Sequence, residues 1–156
     1  MSASDPTGQT LRVEFGYASE HFLDASSALS VSHRNALVVI LAYPDVAIGS
    51  TLPLLEAILK TGRPLALFCT GLSEELRGML IVNHQQAALP NVAIDAPSTT
   101  EYDRAQLFAV AAVAGAPIVA SNRMLARTTP DMLGQVDGIT VDAPSTVLTG
   151  FPLLRA

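Results

Sequence analysis

The chain has 156 residues, 49% hydrophobic and 15% charged, with a mean hydropathy of +0.38 and a formal net charge of −5. That is enough apolar sequence to bury a core and too much for disorder throughout, while a lone lysine, Lys60, and scattered arginines give no basic stripe for nucleic acid. No stretch reaches the roughly 18 apolar residues of a membrane span, the start MSASDPTGQT has no basic-then-apolar signal pattern, and the single Cys69 excludes an internal disulfide framework, so a reducing, cytoplasmic setting is expected.

Residues 1–12 open small and polar and read as a flexible tail. Ala36–Ala42 reads as a buried strand. Ser50–Thr61 reads as a helix, with Ser50 or Thr51 as N-cap, Pro53 in the first turn and Gly62 as its stop. Pro64–Cys69 is a strand, and Ser73–Gln86 a helix capped by Ser73. Asn91–Ala96 is a strand. Thr100–Gly115 is a helix ended by Gly115 and Pro117, and Pro117–Ser121 is a further strand. Thr129–Gly134 reads as a helical turn, and Gly138–Val141 with Thr146–Thr149 as a hairpin. Residues 151–156 form a C-terminal tail. Short buried strands alternating with helices predict a layered α/β domain. The run Asp95-Ala-Pro-Ser-Thr99 recurs as Asp142-Ala-Pro-Ser-Thr146, which is turn chemistry used twice at strand exits.

Two helices carry more apolar surface than one core needs. At about 100° per residue, Leu52, Leu55 and Leu59 share one stripe and Leu54 and Ile58 a second on the far side. In the second helix Leu76, Met79 and Leu80 form a core face, while Ile81 and Val82 lie off it, near Arg77. Either both helices are buried on two sides, or the extra stripes line a groove. Contiguous exposed apolar surface marks binding sites, and helix-lined grooves hold peptides.

Several of these segments resemble the apical domain of GroEL-type chaperonins. The run Leu52-Pro-Leu-Leu-Glu-Ala-Ile-Leu-Lys-Thr-Gly-Arg-Pro-Leu65 is similar to that family's leucine-proline-any-leucine-glutamate helix and its glycine-basic-proline-leucine turn. Leu80-Ile81-Val82-Asn83 resembles its leucine-valine-valine-asparagine, and Gly16-Tyr17 with Phe22 its glycine-tyrosine and tyrosine-phenylalanine. Val92–Pro97 with Tyr102-Asp103-Arg104 resembles its strand, alanine-proline and glycine-aspartate-arginine segment, and Leu133-Gly134-Gln135 with the last hairpin resembles the leucine-glycine-glutamine and strand pair that closes the domain. The resemblance spans about residues 13–150 and implies a layered β/β/α apical-like domain with two exposed groove helices. It implies a peptide-binding surface of Tyr17, His21, Phe22, Leu52, Leu55, Leu59, Arg77, Ile81, Val82 and Asn83, with Leu54 and Ile58 as the core stripe. Expected occupants are apolar segments of non-native polypeptides, a segment of one partner protein, or the mobile loop of a co-chaperonin. Arg77 stands where the family has a groove leucine, His21 replaces a groove tyrosine, and Ser98-Thr99-Thr100 replaces a glycine-rich loop. No segment for the family's nucleotide domain and no Gly-x-x-x-x-Gly-Lys-Ser/Thr loop is present, so ATP-independent binding by a monomer is expected.

Catalytic readings are weaker. His21, His33 and His84 lack metal-ligand spacing, and Ser32-His33 is expected in a surface loop. Cys69 reads as a buried structural thiol, and Glu74, Glu75, Glu101 and Asp103 suit helix first turns. No cofactor and no catalytic residue is assigned. Strand-end loops Cys69–Ser73 and Asp95–Thr99 leave a small α/β enzyme as an alternative, and a module dedicated to one partner is another.

Overall fold

The computed structural model describes residues 10–23, 29–86 and 88–150. Strand β1 (Thr10–Val13) leads through a 3-10 turn at Glu20–Phe22 to the long β2 (Ser30–Leu41). Helix α1 (Ile48–Leu59), β3 (Leu65–Cys69), α2 (Glu74–Gln85), β4 (Asn91–Asp95), α3 (Glu101–Ala114) and β5 (Ile118–Val119) follow in alternation. Then come α4 (Asn122–Ala126), a 3-10 turn at Pro130–Met132, β6 (Gly134–Asp142) and β7 (Thr146–Thr149). The mixed α/β class is as expected. The strands are joined through β2 in one hydrogen-bonded path, β1-β7-β6-β2-β3-β4, with β5 off it.

β2 is the organiser. Its first part pairs antiparallel with β6, from Ser30 opposite Asp142 to Val38 opposite Gly134. Its last residues pair parallel with β5 on that same edge, Ile40 opposite Ile118, and with β3 on the other. β6 therefore yields to β5 where β2 enters the parallel part of the sheet. This central run, Ala36–Leu41, is buried throughout, as a strand covered on both faces must be.

Two helix starts are as the sequence predicts. The Ser73 hydroxyl accepts from the Leu76 amide at 3.1 Å, and the Thr100 hydroxyl from the Asp103 amide at 3.0 Å. Helix α1 differs. It starts at Ile48, before Ser50 and Thr51, and its capping residue, Ala47, has no side chain to accept with. The cap comes from elsewhere: Asn122 Oδ1 accepts from the Ala47 amide at 2.8 Å and from the Tyr43 hydroxyl at 2.8 Å. Its Nδ2 donates to Asp45 O at 2.9 Å. Thr51 is instead a buried first-turn residue whose hydroxyl donates to Ala47 O. Pro53 accordingly falls in the second turn.

Other departures are local. Strand β1 starts at Thr10, inside the segment expected as a tail to residue 12, because it adds an antiparallel edge to β7. Ser32 and His33 lie in β2, not in a loop. The expected strand over 117–121 shrinks to Ile118–Val119, since Ser121 caps α4 by accepting from the Met124 amide. The tail at 151–156 lies outside the described residues. No helix among the described residues is long and apolar enough to cross a membrane.

Candidate functional site

Parallel strands linked by right-handed crossovers put α1 and α2 on one face of the sheet and send α3, whose chain returns across β2, to the other. α1 and α2 thus lie side by side, and a cleft of about 110 Å³ opens between them, lined by Leu52, Leu55, Glu56, Leu59, Met79, Asn83 and Leu89. That is on the order of one branched aliphatic side chain, judged against the slightly larger cavities that admit benzene. Leu52 (40% exposed) and Leu59 (50%) stand at its rim, and Val82 (48%) is exposed on α2 outside the lining. The far stripe of α1 is core as expected, with Leu54 and Ile58 buried.

Two residues expected on the exposed groove surface are buried. Leu55 is only 6% exposed and forms the cleft's floor. It sits about 60° around the helix from Ile58, so the core arc, wider than one line of residues, takes it in. Phe22 is fully buried, its ring packed at 56° against His84 with centroids 6.0 Å apart. It anchors the Glu20–Phe22 turn to α2 from beneath.

The remaining residues fall on two sides of α2. Met79 and Asn83, one turn apart, face α1, and Asn83 Nδ2 donates to Met79 O at 2.8 Å. Ile81, Arg77 and Gln85 share the opposite flank by helical spacing. There Gln85 Nε2 reaches the carbonyl of the exposed His21 at 3.4 Å. Arg77, with 35% of its side chain exposed, lies 4.0 Å from Glu74. Tyr17 is half-buried, bridged to Ile94. The structure therefore brings Leu52, Leu55, Leu59 and Asn83 together and leaves Tyr17, His21, Phe22, Arg77 and Ile81 outside that cleft.

Sequence reasoning missed Leu89, which follows α2 and closes the cleft, and it assigned Met79 wholly to the core. A leucine directly before Pro90, just past a helix end, was the available signal. It also missed Asn122, whose three hydrogen bonds hold the entry of α1. The other end of α2 is tied by Asn91, which is fully buried and donates from Nδ2 to Leu80 O and Leu89 O at 3.0 and 2.8 Å. The Asn91 amide donates to His84 Nδ1 at 3.3 Å.

Cys69 is buried at the end of β3, and burial, reinforced by the nearby Asp95 carboxylate, pushes its thiol up to about 12. It is the opposite of an activated nucleophile. No group of three or more potential metal ligands exists among the described residues.

No protein-family model matches the chain. Curated proteins do. The chain is 27% identical over 135 residues to chaperonin GroEL 1 of Prochlorococcus marinus, covering 85% of this chain and 24% of that protein. It is 27% identical over 146 residues to the hydrogenosomal chaperonin HSP60 of Trichomonas vaginalis, covering 92% of this chain and 31% of that protein. Its homologues are GroEL and HSP60 chaperonins. Among solved structures, chaperonin gp146 from the bacteriophage EL 2 (Pseudomonas aeruginosa), crystallised in the presence of ATP-BeFx, superposes with a TM-score of 0.67 at 12% identity. That match covers 92% of this chain and 30% of gp146 and shows a chaperonin-like fold. The chain thus spans 24–31% of the length of these chaperonins.

Proposed function

We propose that this chaperonin relative binds an apolar peptide segment of a non-native or partner protein in the cleft between α1 and α2, without nucleotide. The observation that carries the reading is the pairing of a side-chain-sized apolar cleft with leucines left in water at its rim, Leu52 and Leu59. A soluble domain gains nothing for stability by exposing them, and an incoming aliphatic side chain would cover both while its own surface leaves water, at about 25 cal/mol per Å². Asn83 and Glu56 give the cleft a polar edge that can orient a peptide backbone. The similarity to GroEL and HSP60 supports the kind of partner.

The test is fluorescence anisotropy with a labelled apolar peptide carrying several leucines. Binding at about micromolar strength is expected, after the entropy of ordering the peptide is met. Leu52→Ser with Leu59→Ser should weaken it at least tenfold with the fold retained. Equal binding by the double variant would refute the site. A second reading, one dedicated partner, is favoured by the small size of the cleft, which holds about one aliphatic side chain. Failure of the protein in molar excess to suppress aggregation of a denatured model substrate, with peptide binding intact, would select that reading.

A further inference from the structure

The opposite face of the sheet carries a second concavity, independent of the peptide cleft. It is lined by Ile40, Ala42, Ile118, Leu107, Phe108, Arg104 and Ser98, with a volume of about 190 Å³. Its position follows from topology. The chain steps outward through β2, β3 and β4, all parallel, then crosses back over α3 to place β5 on the other side of β2. The order reverses between β2 and β5, and the concavity lies toward the carboxyl ends of the strands there, with Ala42 just past β2 and Ser98 just past β4. In open α/β sheets such a reversal leaves a crevice where ligands bind.

The lining states a chemistry. Ile40, Ala42, Ile118 and Leu107 form an apolar floor. Phe108, 60% exposed on α3, stands over one side. Arg104 supplies the charge. Its Nη1 donates to Ser98 O at 3.0 Å, which orients the guanidinium, and no carboxylate of the described residues lies within ion-pair distance of it. A guanidinium has five N–H donors in a planar fork suited to a carboxylate, so one hydrogen bond leaves most of them available.

We propose that this concavity binds a small carboxylate with an apolar body about the size of a benzene ring, its carboxyl group on Arg104 and its body against Ile40, Ala42, Ile118 and Phe108. Cavities of about 150 Å³ admit benzene, so the apolar part fits with room for the acid at the open side. The probe is benzoate, titrated while amide NMR shifts are followed, with benzyl alcohol as the uncharged counterpart. Saturable shifts centred on Ala42, Ser98 and Ile118 are expected, with a dissociation constant of about 1 mM, as for a ligand of about nine non-hydrogen atoms. Benzyl alcohol, and benzoate on Arg104→Gln, should bind at least about tenfold more weakly, the usual loss for a charge-assisted contact. Arg104 is exposed, so its variant keeps the fold. Ala42→Leu, which fills the floor, should abolish binding, and if that variant is unstable the Arg104→Gln and benzyl alcohol comparisons decide alone. Absence of saturable shifts, undiminished binding by Arg104→Gln, or shifts centred on Leu52 and Met79 would overturn the proposal.

Discussion

Leu52 and Leu55 stand three residues apart on one helix and are expected to fail differently. Leu55→Ser places a hydroxyl in the floor of the cleft and removes buried apolar volume, a loss of about 2–4 kcal/mol that a thermal melt will read directly. Leu54→Ser should behave alike, because both side chains are buried. Leu52, 40% exposed at the rim, has far less buried surface to lose, so Leu52→Ser should cost about 1 kcal/mol or less while weakening peptide binding. A melting temperature lowered by Leu52→Ser as much as by Leu55→Ser would show that the rim is core. Arg77→Leu gives a further contrast. Its partner Glu74 is 94% exposed, so the ion pair adds little, and Arg77 lies on the far flank of α2. Peptide affinity in the α1–α2 cleft should change by less than about fivefold, the ~1 kcal/mol upper end for a surface pair of this kind. Cys69 sets a pH limit. Its thiol is held up to about 12 in the fold against a usual 9.0, so the folded chain keeps a proton that the unfolded chain gives up. Stability is therefore intact below pH 9 and falls above it by up to about 1.4 kcal/mol per pH unit toward 12. Urea melts at pH 8 and pH 10, compared with Cys69→Ala, will separate this contribution from that of other titrating groups.

At the scale of elements, α1 depends on a residue that the sequence does not advertise. Asn122→Ala removes two acceptor contacts and one donor contact at the entry of α1, leaving the Ala47 amide and the Tyr43 hydroxyl without their partner. A loss of about 2–3 kcal/mol is expected, with faster hydrogen exchange over Ile48–Thr51 and weaker peptide binding, since Leu52 rides on that turn. Exchange unchanged in that turn would show that the helix holds its own start. Gly16 makes the corresponding point for the strap between β1 and the first 3-10 turn. A Cβ there would fall 1.6 Å from Ala143 O, so Gly16→Ala should prevent this strap from seating or unfold the protein. What was legible in the sequence is what local chemistry decides. The Ser73 and Thr100 hydroxyls, the glycine after α3 and the alternation of β3, α2, β4 and α3 all have short-range causes. The start of α1 was not legible, because its cap lies 75 residues away on α4. The first half of β2 was hidden too: Ser30, Ser32 and Arg34 are polar, and only pairing with β6 makes them a strand. In the cleft, helical spacing placed Leu52 and Leu59 correctly together. It could not rank Leu55, whose depth depends on Leu89 and Met79 arriving from α2 and its following loop.

Taken whole, the molecule offers two faces with separate chemistries, an apolar cleft between α1 and α2 and an arginine-edged concavity beneath α3. They share only the sheet, so saturating peptide should leave benzoate affinity unchanged within about twofold, since sites joined by no two-state element carry little coupling free energy. The sheet itself is closed by its ends in sequence. β1 pairs with β7 alone, Val13 opposite Thr146 and Thr10 opposite Thr149, and the Thr146 hydroxyl donates to Phe15 O at 2.7 Å. The two strands are more than 130 residues apart along the chain. A ribosome adding about 5–20 residues per second separates their appearance by roughly 7–27 s. Through that interval β1 has no partner, and its own edge stands open beside whatever nascent segment comes near. Completion of the last hairpin is therefore the step that gives β1 its partner and ends that exposure during synthesis.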